Sequence, residues 1–381
     1  MSIQPKATIE ECFSELEDPR IDRTKRHKLI DILVIAICAV ICGSDSWVDV
    51  ATFGEAKREW FERFLELPNG IPSHDTFNRV FNRLDPEQFS GCFIRWINAS
   101  SKLTGGQVIA IDGKVLRRSH DRGIGKAAID MVSAWASVNH LVLGQIKVDE
   151  KSNEITAIPE LLHALEVAGC IITIDAMGCQ TEIAGLITEK GADYVFALKE
   201  NQSGLHDDVE LLFDDLEAND YRAYAFDHHK TVDKGHGRIE IRECWTISDR
   251  QILQYLHGYE KWSHLATVCR IRSQRIIDDE RSIEDRYYIA SVQGAQKVLE
   301  SVRSHWGIEN KVHWTLDIAF DEDRCRVRKD HGAENFAILR HIALNLLKQE
   351  RTSTRSIHGK RLLAGWNENY LSKVLAGLSS S

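Results

Sequence analysis

The sequence predicts an α/β protein: an all-helical N-terminal region, a mixed sheet carrying a β-rich insertion, and closing helices. Three features lead there. Apolar residues recur at helical spacing through residues 1–100. From Gln107 the pattern switches to short β-branched runs, two of them closed by an acid, Val108-Ile-Ala-Ile-Asp112 and Ile171-Ile-Thr-Ile-Asp175. The stretch 203–292 is again strand-like, and helical spacing resumes after it.

The elements follow in order. Residues 29–42 are apolar on every side, which predicts a helix inside a bundle. The run is too short to span a bilayer, which takes about 20 residues. It also lies too far from the start, behind too many charges, for a signal peptide. After Gly43, one amphipathic helix is expected to carry Trp47, Val50, Phe53, Trp60, Phe61 and Phe64. A Pro-Gly turn leads to Ser73 as an N-cap. The next helix places Phe77, Val80, Phe81 and Leu84 on one side and Arg79 and Arg83 on the other. That outline fits DNA recognition by a helix–turn–helix or a plain helical hairpin with solvated arginines.

Strands are expected over 108–114, 131–139 and 141–148, then a helix over 158–168, a strand over 170–175, a helix over 181–190 and a strand over 194–199. The order β-β-β-α-β-α-β is that of an RNase H-like mixed sheet, whose first and fourth strands are central neighbours. Asp112 and Asp175 then end side by side. The insertion holds an acidic helix over 205–216 and strands over 239–247, 265–271 and 287–292. Helices over 296–319 and 332–348 complete the chain. The expected domains are 1–100 (helical, DNA-binding-like), 101–202 (first part of the core), 203–292 (insertion) and 293–381 (rest of the core).

A net charge of −9 argues against a uniformly basic nucleic-acid binder but leaves room for local patches, at 20–28, 324–329 and 351–361. Nine cysteines without a CxxC pair fit a reducing cytosol, so a cytoplasmic chain is expected.

Two strand-end aspartates and a helix-borne glutamate are what two-metal phosphoryl transfer requires. Paired Mg²⁺ ions about 3.5–4 Å apart stabilise attacking and departing oxygens, and Mg²⁺ takes hard oxygen ligands. Asp112 would bridge, with Asp175 and a downstream acid completing the set. On pattern alone that acid is Glu309, with Asp317, Asp321, Glu322 and Asp323 as rivals. Lys114, Arg117 and Arg118 follow the first aspartate and suit phosphate contact, or a solvated basic turn. His228, His229 and His236 lack structural-zinc spacing, so a polar loop facing DNA is the expectation there.

Several motifs together resemble the DDE insertion-sequence transposases, specifically the H-repeat-associated group linked to Rhs elements. They are Leu33-Val-Ile-Ala36 with Cys42-Gly-Ser-Asp-Ser-Trp47, Ile71-Pro-Ser-His-Asp-Thr-Phe77, Ala110-Ile-Asp112-Gly-Lys114, Asp175-Ala-Met-Gly178-Cys-Gln180, Leu198-Lys-Glu-Asn-Gln202, His236-Gly-Arg-Ile-Glu240, and His305-Trp-Gly-Ile-Glu309-Asn-Lys-Val-His-Trp314. The resemblance implies a helical associated domain, an RNase H-like catalytic domain, and Mg²⁺-dependent (Mn²⁺ as substitute) cleavage and strand transfer at element ends. It places the acids on Asp112, Asp175 and Glu309. It also implies DNA as partner and, by analogy, a homodimer. Many related transposases place a tyrosine and an arginine before the glutamate, the arginine four residues ahead of it, and a lysine seven residues after it. Here those positions hold His305 and Leu316, leaving Arg303 and Lys311 as nearby cations for the DNA end. A domesticated, inactive DNA-binding relative and an RNase H-like nuclease without strand transfer are the alternatives.

Overall fold

The computed structural model describes residues 9–100, 103–120, 127–149, 152–235, 237–278 and 280–376. Six helices come first: α1 (Ile9–Phe13), α2 (Leu29–Ile41), α3 (Trp47–Ala56), α4 (Arg58–Phe61), α5 (His74–Arg83) and α6 (Pro86–Ser100). The sheet region follows with β1 (Val108–Leu116), β2 (Ile129–Ala136), β3 (Leu141–Lys147), α7 (Glu154–Ala164), β4 (Ile171–Ile174), α8 (Thr181–Glu189), β5 (Asp193–Leu198) and α9 (Ser203–Ala218). Then come β6 (Asp227–Gly235), β7 (Arg238–Ile247), α10 (Arg250–Leu253), β8 (Thr267–Ile277) and β9 (Glu280–Ala290). The chain closes with α11 (Ala295–Ile308), a π-helical turn (Glu309–His313), α12 (Trp314–Phe320), α13 (Gly332–Gln349), α14 (Ile357–Trp366) and α15 (Glu368–Leu375).

All strands join one mixed sheet in the order β3-β2-β1-β4-β5-β9-β8-β7-β6. β1 pairs antiparallel with β2 and parallel with β4, and β4 is parallel to β5. β1 is covered on both faces, which is why its first half reads as an unbroken apolar run. The strands of the 203–292 stretch do not form a sheet of their own. β9 pairs with β5 and extends the same sheet outward. Alternation along β8 sends Val268 and Arg270 toward α9 and Cys269 and Ile271 toward α11, so the extension is covered on both faces.

α13 is buried along nearly its whole length and forms the hub. Asn345 spans both backbone groups of Val142 on β3, and Asn335 donates to the carbonyls of Phe81 and Leu84 at the end of α5. α2, α5 and α6 therefore pack on α13 and share one core with the sheet. Among the described residues no helix is long and apolar enough to cross a membrane.

Several expectations are corrected. The helix expected from Trp47 to Phe64 breaks at Lys57 into α3 and α4, leaving Phe64 half exposed. Ser73 occupies the N-cap position of α5, but its hydroxyl faces the Thr76 hydroxyl and makes no cap to the backbone. α7 starts a turn earlier than Pro159 suggests, because the Asn153 side chain accepts from Ile155 N–H and caps it. The histidine-rich stretch expected as a loop is the edge strand β6. It pairs fully with β7, and only its polar composition hid it, since Val232 is its one apolar residue. His236 lies outside the described residues. The local basic patch expected at 351–361 is partly buried: Arg361 donates to the carbonyls of Val40 and Ala319, at the ends of α2 and α12.

Candidate active site

The parallel register sets Ala110 against Thr173 and Ile111 against Ile174. Asp112 follows Ile111 on β1 and Asp175 follows Ile174 just past the end of β4, so the two acids leave neighbouring strands at the same level. Each carboxylate is oriented by backbone. Asp112 Oδ1 accepts from Gly113 N–H (2.9 Å), and Asp175 Oδ1 accepts from Met177 and Gly178 N–H (3.1 and 3.3 Å).

α11 and its π-turn cross these strand ends. His305 Nδ1 lies 3.0 Å from the Thr173 hydroxyl on β4, and His313 Nδ1 lies 3.5 Å from Asp112 Oδ2 on β1. Glu309, midway between the two histidines, is thus carried over the pair of aspartates and lines a cleft of about 530 Å³ with Asp175 and His305. The close approach depends on Gly307, where a Cβ would come within 2.5 Å of the buried Trp135 ring. Gly307→Ala is expected to lower stability by roughly 1–3 kcal/mol through overpacking, read from urea unfolding; an unchanged midpoint would contradict this packing.

The electrostatics match this convergence. Burial, then Glu309, then Asp175 push the Asp112 carboxyl up to about 7. A fourth acid, Glu154 at the start of α7, takes part: a Cβ on Gly113 would collide with its carboxylate. Burial and then Asp175 raise its pKa. Sequence reading missed Glu154 by starting the helix at Ile158; the Asn153 cap was the signal. Burial pushes His313 down to about 4 and lowers His305, so both imidazoles are neutral at pH 7. His313 Nε2 is buried without a hydrogen-bond partner.

Lys114 is not turned to solvent. Its ammonium donates to Asp317 Oδ1 (2.5 Å), Glu322 Oε2 (2.8 Å) and the His313 carbonyl (3.4 Å). Burial opposes its charge, but Glu322 and Asp317 outweigh that and raise its pKa, while Lys114 and Arg340 hold Glu322 below its ordinary value despite burial. Asp317, a rival third acid on pattern, is spent on this pair. The π-turn is the reason that regular-helix spacing from Glu309 does not carry across to it. Arg117 and Arg118 are exposed beyond this strut, with Arg117 3.3 Å from Asp323. Arg303 is exposed on α11 and pairs with Asp233. Lys311 is exposed on the π-turn, 5.7 Å from the Trp135 ring centre. Arg79 and Arg83 are exposed on α5, which packs on α3 and α13, and neither lines the acidic cleft.

Among the described residues no three His, Cys, Asp or Glu side chains form a ready-made metal cage. The donor set nonetheless suits a hard cation. It offers oxygens from separate elements, no thiolate, and a concentration of negative charge. Mg²⁺ is commonly held by one or two carboxylates, waters and substrate phosphate rather than an all-protein cage.

Residues 103–346 match the family model described as "Transposase DDE domain", and residues 10–97 match "DDE_Tnp_1-associated". The "H repeat-associated putative transposase YhhI" of Escherichia coli (strain K12) is 41% identical over 374 residues, 96% of this chain and 97% of that protein. The "Putative transposase YncI" of Escherichia coli O157:H7 is 39% identical over 383 residues, covering 100% of this chain and 96% of its own length. A short relative, "Inactive transposase YbfQ" of Escherichia coli (strain K12), is 46% identical over 57 residues, 15% of this chain and 68% of its own.

Proposed function

Because the chain belongs to the DDE transposase family, in its H-repeat-associated group, we propose that it cuts DNA at the ends of a mobile element and joins those ends to target DNA, with Mg²⁺ or Mn²⁺ as cofactor. The observation that supports this best is the crossing of α11 over the strand ends, anchored by His305 at β4 and by His313 at β1, with Glu309 between. The order β3-β2-β1-β4-β5 supports an RNase H-like core formed by 101–202 and 293–381, with 203–292 inserted and 1–100 associated.

In this reading Asp112, Asp175 and Glu309 hold the divalent ions, and Glu154 adds to their negative field. Bound ions supply charge stabilisation for the attacking and departing oxygens of an in-line displacement. Water first attacks the phosphorus at the element end, breaking a P–O bond and leaving a free 3′-hydroxyl. That hydroxyl then attacks a target phosphodiester, forming one P–O bond as another breaks. The neutral His305 holds Thr173, two residues before Asp175, and the neutral His313 lies beside Asp112, so neither adds a positive charge to the acids. Arg117, Arg118, Arg303 and Lys311 are the exposed cations offered to flanking phosphates, and Arg79 and Arg83 offer a separate surface. Pairing of two ends suits a homodimer, by analogy.

Purified protein incubated with the DNA flanking its gene is expected to yield nicked and then joined products with Mg²⁺ and none in EDTA. Nicks that never become joined products would mark a nuclease instead.

A further inference from the structure

Beyond the acids, one face of the sheet extension carries a second cavity, of about 560 Å³, between β7–β9 and α11. Five arginines line it: Arg238 and Arg242 from β7, Arg275 from β8, Arg286 from β9 and Arg303 from α11. Among the described residues their ion-pair partners are three acids. Asp233 holds Arg242 and Arg303 (both 2.9 Å), Glu240 holds Arg238 (2.9 Å) and Arg242 (2.5 Å), and Glu284 holds Arg286 (2.8 Å). Arg275 stands opposite Glu240 in the strand register. Among the described residues, five guanidinium groups against three carboxylates leave the groove net positive in a chain whose net charge is −9.

The placement matters as much as the sign. Glu284, Arg286, Tyr288, Val302 and Trp306 line both this groove and the cleft of Asp175 and Glu309, so the two are continuous. Asn310 faces the groove and its neighbour Glu309 the acids. The ion pairs hold the guanidinium groups in place. Being partly exposed, they are weak enough to yield a donor to an incoming anion, and each guanidinium carries five N–H donors. Planar donor forks at this density match phosphate oxygens.

We propose that this arginine groove seats the sugar-phosphate backbone of the DNA strand leading to the reacting phosphate. The proposal rests on the transposase reading and extends it to residues outside the acidic site.

The test is fluorescence anisotropy of a labelled, random-sequence DNA duplex with full-length protein in EDTA, across a KCl series. Wild type is compared with Arg238→Ala/Arg275→Ala, whose side chains are exposed. Each lost phosphate contact lowers the salt slope by about 0.9, so the double variant should lose about 1.8 from it and bind roughly tenfold more weakly, with an unchanged thermal melt. Arg238→Lys/Arg275→Lys should recover most of the slope. An Ala variant with wild-type slope and affinity overturns the groove, as does loss of binding in Arg79→Ala/Arg83→Ala alone. No cutting occurs in EDTA, so the outcomes separate. Wild type that binds through the groove yet makes no joined products with Mg²⁺ refutes strand transfer only. Wild type that binds no duplex refutes both.

Discussion

Asp112→Asn should abolish Mg²⁺-dependent cleavage, by about 1000-fold or more, and at the same time make the metal-free protein more stable. The loss follows from removing a ligand whose ion contributes several kcal/mol to the barrier. The gain follows from linkage. Asp112 is raised to about 7 by burial, Glu309 and Asp175, whereas the unfolded chain ionises near 4. Between those pH values the folded state keeps a proton that the unfolded state has lost, so wild-type stability falls as pH rises from about 4 to about 7. Above pH 7 the full cost of the carboxylate is present. Asparagine removes it, so the variant should be more stable than wild type by an order of 1–4 kcal/mol at pH 8 in EDTA, with the difference vanishing near pH 4. Mg²⁺ should reverse the ranking by stabilising only the wild type. Denaturant melts at pH 4 and pH 8, with and without Mg²⁺, read all of this. A variant no more stable than wild type at pH 8 would show that Asp112 bears no such charge burden.

Lys114→Met should be the most destabilising single change near the site, by about 3–5 kcal/mol, because it strands a buried carboxylate. Glu322 is almost fully buried and, among the described residues, keeps only the Arg340 ion pair, at 3.6 Å, once the lysine is gone. The same lysine ties β1, which carries Asp112, to α12 and the turn after it. Cleavage should therefore fall even at temperatures where the variant is folded. Glu322 has a lowered pKa in the wild type. Its share of stability is present above the unfolded value near 4.3 and fades as pH falls through the folded one. The gap between variant and wild type should accordingly narrow only as pH falls below about 4. Duplex-binding salt slopes should hardly change. A slope reduced by about 0.9 with little loss of stability would instead make Lys114 a phosphate contact.

What the sequence disclosed was local. An apolar run closed by aspartate encodes a buried strand that delivers an acid, and both such runs became β1 and β4. What it concealed depended on partners far along the chain. Nothing near Lys114 announces residues 317 and 322, and nothing near Arg361 announces the end of α2 at Val40. β6 lacked apolar alternation because it lies at the sheet's solvated edge. Pro159 drew the start of α7 away from Glu154, although the Asn153 cap outweighs it. The π-turn at 309–313 has no signature in hydrophobic spacing, so a single straight helix was expected where the site needs a widened turn.

Crystals soaked in Mn²⁺ and measured at the manganese absorption edge give the most direct test. The account predicts anomalous density against the carboxylates of Asp112 and Asp175, with Glu309 in reach. Density at His228 and His229 on β6, with none between β1 and β4, would contradict it.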